Sequence, residues 1–407
     1  MKKKFNIEIS TIQSARVELS KYFPESPLVY SAGLSKKHQC HVYLKLENMQ
    51  PIGSFKIRGA AYKISTLTSK QKKRGVIAAS AGNHAQGVAW GSAVYGANAL
   101  IVMPETAPLI KVENTKKLGA KIHLEGKNYD EAYLAAKSIA NKTGRIFIHA
   151  YKDEAVIAGQ GTIGLEILDQ LPGVDFVIGS IGGGGLMAGV GVAIKELSPK
   201  TKLVGCQALG ASSMIQSLKK GKALSTPTVR TFADGIAVAQ ASPEMLALLN
   251  ETLDFYYTAE DESIAAAVLT LIEQVKTVSE GAGALPLCAL PFLEKKIKGK
   301  KVVVIVGGGN IDVNVLSRIL DRGLILAGRR IRVDVLIEDK PGSLKNLTTV
   351  LSELGVNILQ AIHDREEPLT TMSHTQVALT LETRGPDHTK AVIAALKENT
   401  VSVKLIS

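Results

Sequence analysis

Between about residue 40 and residue 326, short apolar runs rich in Val, Ile and Ala alternate with stretches of helical spacing, and few architectures accept that alternation. The runs "HVYLKLE", "GVIAAS", "ALIVMP", "AKIHLE", "RIFIHA", "DFVIGS", "TKLVGCQA" and "KKVVVIVGGG" read as strands. Helical patterns follow several of them, as in "HAQGVAWGSAVYG", "LIKVENTKKLG" and "YDEAYLAAKSIANK". A β-branched run apolar on both faces must be covered on both, and the intervening helices supply the cover. The fold class is therefore α/β: open, mostly parallel sheets flanked by helices, joined by right-handed crossovers. At 407 residues there is chain enough for two such lobes with a ligand at their junction, a smaller lobe over roughly 48–150 being inserted in a larger one.

The pattern changes near "AGRRIRVDV". "RIRVDVLIE" alternates as a strand, "KPGS" turns, and "SLKNLTTVLSELGV" carries Leu344, Leu347, Val350, Leu351 and Leu354 at helical spacing. Two strands, "NILQAIHDR" and "HTQVALTLET", then a helix, "TKAVIAALKEN", and a short strand, "VSVKLIS", complete a β-α-β-β-α-β order. That order is a ferredoxin-like module. The expected domains are 1–328 and 329–407.

The formal charge of +12 is spread over "KKLGAK", "KKGKAL" and "EKKIKGKK", and aromatics are only 5% of the chain. Lysines without a stacking platform read as solvated faces, so no nucleic-acid partner is expected, although an anionic small ligand fits the charge equally well. Cys40, Cys206 and Cys288 form no CxxC pair, which points to a reducing compartment without disulfides or a zinc site. "MKKKFNIEIS" has no apolar segment after its lysines, and no run reaches membrane-spanning length. A cytoplasmic protein with no membrane partner is the expectation.

Five stretches carry chemistry. In "GSFKIRGA", Ser54 is placed to cap a helix whose first turn holds Lys56. The positive helix end and nearby Arg58 both disfavour an ammonium there, and a neutral lysine amine is a nucleophile. "SAGNHAQG", Ser80 to Gly87, follows a strand and opens a helix, so its backbone N–H groups and the Asn83 and His84 side chains can hold an anion such as a carboxylate. "IGGGGLMAG" places Gly182, Gly183, Gly184, Gly185 and Leu186 between a buried strand and a helix, a phosphate cradle that leaves the phosphate unspecified. "VVVIVGGGN" looks like the start of a dinucleotide site but lacks the next glycine and the ribose-binding acid, so a tight turn against a flat ring is the alternative. Glu280 heads the small-residue stretch "EGAGAL".

Together these stretches resemble the fold-type II pyridoxal-phosphate enzymes, and within them the threonine ammonia-lyase (threonine dehydratase) branch. The resemblance runs in order through "SPLVYSAGLS", "LKLENMQPIGSFKIRGA", "SAGNHAQGVA", "VIAGQGTIGLEI", "GGGGLMAG", "ADGIAV", "EGAGAL" and "GGGNID", covering about residues 20 to 320. It implies pyridoxal 5'-phosphate as cofactor. Lys56 would hold the pyridoxal aldehyde and act as the base at the substrate's Cα, and Phe55 would pack beside the ring. Asn83 would bond the ring 3-oxygen, Ser80, Ala81, Gly82, Asn83 and His84 would hold the substrate carboxylate, and Gly182 to Leu186 would hold the phosphate. Glu280 and Gly307 would adjoin the cofactor. The implied reaction is β-elimination of L-threonine to 2-oxobutanoate and ammonia, with L-serine giving pyruvate.

Three departures accompany the likeness. Many relatives carry a serine at the position of Gly307, where it meets the pyridine nitrogen. Similar serine racemases carry acidic metal ligands where Gln207 and Ser213 stand, so no metal site is expected. Ala81 replaces the serine that those racemases use on the opposite ring face, which favours elimination over racemisation. The C-terminal module resembles an ACT domain in "VLIEDKPGSLKNLTTVLSELGVNI". It implies a homodimer or homotetramer and an amino-acid effector site around Asp339, Pro341, Gly342 and Leu344, with isoleucine as the candidate. A lyase or racemase acting on serine or 3-hydroxyaspartate, and a non-catalytic amino-acid sensor, are the competing readings.

Overall fold

The computed structural model describes residues 5–365 and 372–406. The strands are β1 Leu28–Tyr30, β2 His41–Leu46, β3 Val76–Ala79, β4 Ala99–Met103, β5 Lys121–Leu124, β6 Ile146–Phe147, β7 Phe176–Ser180, β8 Lys202–Ala208, β9 Phe255–Ala259, β10 Lys301–Val306, β11 Arg330–Glu338, β12 Asn357–Asp364, β13 His374–Glu382 and β14 Ser402–Leu405. The chain divides into two compact units, Met1–Ile311 and Asp312–Ser407. This division precedes the composition change at 328. Helix Val313–Leu326 goes with the C-terminal unit because it packs on β11, with Asp321 paired to Arg330.

The first unit holds two sheets. One runs β1-β2-β10-β7-β8-β9, parallel throughout except for the antiparallel edge β1. The other runs β5-β4-β3-β6 and is wholly parallel. The central strands are apolar on both faces, as the sequence requires: all of β7 and nearly all of β10 are buried. In parallel sheets the carboxyl ends of neighbouring strands open on one side, where ligands bind. Here those ends lead into residues 47–55 after β2, 307–310 after β10, 181–184 after β7, 80–82 after β3 and 148–151 after β6.

Helices Lys56–Ser65, Asn83–Tyr95, Glu154–Gln170 and Gly185–Leu197 pack between and beside the sheets. Small residues bring their backbones together. A Cβ on Gly159 would fall 2.6 Å from Gly59 Cα, and one on Gly189 would fall 2.2 Å from the Ile157 carbonyl. Lys56–Ser65 is consequently buried almost all round, Ile57, Arg58, Gly59, Ala60, Ala61, Tyr62 and Ile64 included.

The second unit is an antiparallel sheet, β12-β13-β11-β14, in β-α-β-β-α-β chain order, which is the ferredoxin-like arrangement. Ile331, Val333, Val335 and Ile337 of β11 alternate inward with Val377, Leu379 and Leu381 of β13, against helices Ser343–Glu353 and Pro386–Asn399. Of the five apolar residues expected along the first of these helices, only Leu347 and Leu351 are buried, and Leu344 is 38% exposed.

Candidate active site

Lys56 opens its helix, but Ser54 does not cap it. The capping position is Phe55, with no side-chain cap bond, and the Ser54 hydroxyl is fully buried without a partner among the described residues. The reason is that Ser54 bridges to Gly308 and Phe55 N–H donates to the Gly307 carbonyl, which ties the segment to the end of β10. Gly53 is required here. Its φ is +71°, and a Cβ would fall 2.6 Å from Asn310 Oδ1. Lys56 Nζ lies 3.4 Å from the Ala150 carbonyl and 5.0 Å from the centre of the Phe55 ring. Burial pushes the amine down to about 8, with Glu280 opposing.

Arg58 plays no part in that shift. Its guanidinium points away from Lys56 into a buried cluster, bonded to Glu47 at 2.8 Å and to Glu166 at 2.5 Å, with Thr162 Oγ1 at 3.0 Å. Lys45 Nζ meets the same Glu166 at 2.5 Å. The cluster holds two cations and two carboxylates, all of them 3% exposed or less. Burial alone would raise Glu166, yet Arg58 and Lys45 hold it below the usual carboxylate range. The arginine thus anchors the helix that carries Lys56 instead of tuning the amine.

At the end of β3, Ser80 Oγ accepts from Gly82 N–H at 3.1 Å and fixes the turn. A Cβ on Gly82 would meet nothing within 4 Å, so the loop faces open space. Helix Asn83–Tyr95 starts there with no side-chain cap, leaving its first-turn N–H groups to the site. The His84 side chain, expected as a donor to that space, is instead buried, with Nε2 2.9 Å from the Ile148 carbonyl. Burial pushes it down to about 3, so it is a neutral donor to the main chain and reaches an anion only through its backbone N–H.

Asn83 joins three loops. Asn310 Nδ2 donates to the Ile52 carbonyl at 2.8 Å and to Asn83 Oδ1 at 2.7 Å, and Asn83 Nδ2 lies 2.9 and 3.1 Å from the two Glu280 oxygens. Gly307 needs no glycine for backbone reasons. Its φ is not positive, and a Cβ would stand at 3.4 Å from the Phe55 ring, an ordinary contact.

The glycine loop caps helix Gly185–Leu197 through Gly184 (φ +101°), again without a side-chain cap, so the Gly185, Leu186 and Met187 N–H groups have no partner within the helix. Tyr151 packs on this loop: Cβ atoms on Gly183 and Gly185 would fall 2.4 and 2.9 Å from it. Tyr151, Ala150 and Asn310 carry no expected role in the sequence. "HAY", overlapping the end of the run "RIFIHA" just beyond β6, is the signal for the first two, since the end of a parallel strand faces the site.

Several other positions bear on the expectations. Lys111 and Asp234 pair at 2.6 Å, linking the helix after β4 to the "ADGIAV" loop. Gln207 Oε1 accepts from Ile215 N–H at 2.7 Å, and Ser213 Oγ donates to the Val238 carbonyl. Among the described residues, no group of three or more His, Cys, Asp or Glu side chains stands together as metal ligands would. No helix there is long and apolar enough to cross a membrane. In the second unit, Asp339, Pro341 and Gly342 lie exposed on the turn after β11 and Leu344 in the first turn of the helix that follows, with Asp339 paired to Arg365 at 3.1 Å.

The chain is similar to known proteins over most of its length. A family model described as pyridoxal-phosphate dependent enzyme matches residues 19–308. An L-threonine ammonia-lyase of Thermotoga maritima is 44% identical over 98% of this chain and 100% of its own length. Among solved structures, the processed form of threonine deaminase isoform 2 from Solanum lycopersicum aligns at a TM-score of 0.74 and 35% identity, covering 78% of this chain and 95% of that one. Maize serine racemase aligns at 0.73 and 31% identity, over 79% and 98%.

Proposed function

Since this chain belongs to the pyridoxal-phosphate-dependent enzyme family, we propose that it is a threonine ammonia-lyase, converting L-threonine to 2-oxobutanoate and ammonia and L-serine to pyruvate. The observation that carries the reading is the Lys56 amine, whose basicity burial lowers to about 8, set among three helix starts that no side chain caps. Full-length similarity to a threonine-directed relative supports the substrate.

The residues fit the cofactor. Its phosphate needs convergent donors, and the first turn of helix Gly185–Leu197, with Gly182 to Leu186, offers them. Its ring needs a flat apolar wall, which Phe55 supplies beside Gly307. The orphaned Ser54 hydroxyl marks a buried place where a polar partner is owed. When bound, pyridoxal phosphate supplies an electron sink that acidifies the substrate's Cα–H. Asn83 directs an N–H to the ring's 3-oxygen. Ala81 and Asn83 hold the substrate carboxylate through backbone N–H groups, on a turn that the Ser80 hydroxyl fixes by accepting from Gly82 N–H. His84 joins them by its N–H alone. Lys56 carries the cofactor between turnovers and takes the Cα proton during them, which requires an uncharged amine. Nothing at Ala81 can return a proton from the other side, so elimination prevails over racemisation.

The test is direct. Purified protein with pyridoxal phosphate and L-threonine is expected to release 2-oxobutanoate, and with L-serine pyruvate in excess of D-serine. Predominant D-serine would favour the racemase reading that the maize structure represents. A second expectation concerns pH. With Lys56 lowered to about 8 by burial, cofactor-free protein should capture pyridoxal phosphate about tenfold faster per pH unit up to about pH 8, then level off. Stopped-flow absorbance measures this, and a rate still climbing towards pH 10 would contradict it.

For the second unit we propose an ACT-type regulatory module. The exposed segment Asp339–Leu344, a turn and the helix start after it, is its effector site, and pairing of such units builds a homodimer or homotetramer. Threonine turnover with and without isoleucine tests the effector, and light scattering tests the assembly.

A further inference from the structure

Glu280 is a carboxylate in an expensive place. It is 6% exposed, and the partner it meets is an amide, not a cation. An ionised carboxylate buried on such terms is unfavourable unless something requires it. The surroundings are cleared for it. A Cβ on Gly308 would fall 2.6 Å from Glu280 Oε1, and one on Gly235 would fall 3.1 Å from it. Neither glycine has a positive φ, so what the two provide is room.

The orientation of Asn83 then follows without ambiguity. The Ile52 carbonyl only accepts, so the Asn310 atom 2.8 Å from it is the amide nitrogen. That nitrogen also donates to Asn83, which must present Oδ1 to it. Nδ2 of Asn83 is left facing Glu280. A main-chain carbonyl at one end and a carboxylate at the other hold this amide in one flip.

We propose that Glu280 is a positioning residue for the cofactor ring. Acting through Asn83, it keeps the N–H end of the amide turned to the ring's 3-oxygen, and by losing or gaining its own proton it strengthens or weakens that donation. The inference rests on the reading that Asn83 faces this oxygen. Burial raises the Glu280 carboxyl to about 7, with Asp234 adding to the shift. The Asn83 bond and the charges of Lys111 and Lys56 oppose it. These groups stand on four elements: the loop after Phe232, helix Leu109–Lys117, and the starts of helices Lys56–Ser65 and Asn83–Tyr95. Above the midpoint an ionised Glu280 accepts from Asn83 Nδ2 and holds the amide with an N–H turned to the ring. Below it, the neutral acid holds the amide less firmly.

The experiment follows the near-visible absorption of the full-length, cofactor-loaded protein between about pH 6 and pH 8, together with the cofactor dissociation constant. Wild type, Glu280→Gln, Glu280→Asp, Asn83→Ala and the Glu280→Gln/Asn83→Ala double variant are compared. Wild type should show a spectral transition near pH 7. Glu280→Gln should lose it and bind cofactor about tenfold more weakly. Glu280→Asp, which keeps a titrating carboxyl, should regain a transition. The double variant should be no worse than Asn83→Ala alone, because the glutamate acts through the amide. An unchanged transition in Glu280→Gln, or additive losses in the double variant, overturns the assignment and leaves the proposed function standing. A wild type that takes up no cofactor overturns both.

Discussion

Replacing Lys56 with alanine is expected to lower kcat/KM for threonine by about 10⁴-fold or more, because one side chain is lost from two roles, carrier of the cofactor and base at Cα. That loss corresponds to about 5.5 kcal/mol of transition-state stabilisation. The near-visible absorption band should disappear with it, since the amine that captures the aldehyde is gone. The fold should survive. The lysine side chain is half-buried, and its amine makes one long contact, to the Ala150 carbonyl at 3.4 Å. Trp90 is the chain's single tryptophan and packs on Phe23 in the first unit, so its fluorescence reports whether the unit is intact. A variant with unperturbed Trp90 emission that kept more than about one hundredth of wild-type activity would remove Lys56 from the chemistry.

The lowered basicity of this amine illustrates what a sequence can and cannot convey. The strand-to-helix turn at "GSFKIRGA" is visible from its residues, and so is the helix start that places Lys56. The cause of the lowered basicity is not. Arg58 stands two positions away in sequence, but a side chain two positions along a helix points elsewhere. Its partner Glu166 is 108 residues distant, beyond any local pattern. Burial, which depends on the whole fold, does what the neighbouring charge was expected to do.

The same division runs through the architecture. Buried parallel strands such as β7 and β10 are legible because both faces are apolar. β9, "FYYTA", escapes the pattern because most of it is only half-buried at a sheet edge. Helix Glu154–Gln170 is obscured by Gly159, Gly161 and Gly164, residues that disfavour an isolated helix. In the fold those positions allow backbone contact, and a Cβ on Gly161 or Gly164 would come within 2.7 and 3.0 Å of neighbouring helices. Tertiary packing overrides local propensity there. Likewise the glycine loop reads correctly as a cradle, but the need for glycine at Gly183 arises from the Tyr151 ring, which only the structure places.

The largest expected effect on stability lies in the buried cluster beneath the catalytic helix. Arg58→Ala removes one of two cations and leaves Lys45 to balance both Glu47 and Glu166. Breaking a buried pair by deleting one partner costs about 3–5 kcal/mol, because the remaining charge has neither water nor a counter-ion. Lysine is an incomplete substitute. It restores the charge but not the planar fork that spans Glu47, Glu166 and Thr162 together, so Arg58→Lys should recover only part of the loss. Urea unfolding followed by Trp90 fluorescence, in saturating cofactor, measures both variants in the unit concerned. Since the cluster anchors the helix that opens with Lys56, Arg58→Lys protein that remains folded should also capture cofactor more slowly at every pH while keeping the midpoint of capture near that of wild type. Stability of Arg58→Ala within about 1 kcal/mol of wild type would mean that the two carboxylates find water or protons, and that the cluster does not anchor the helix. A shifted capture midpoint in Arg58→Lys would return the arginine to the electrostatic role that its buried partners now deny it.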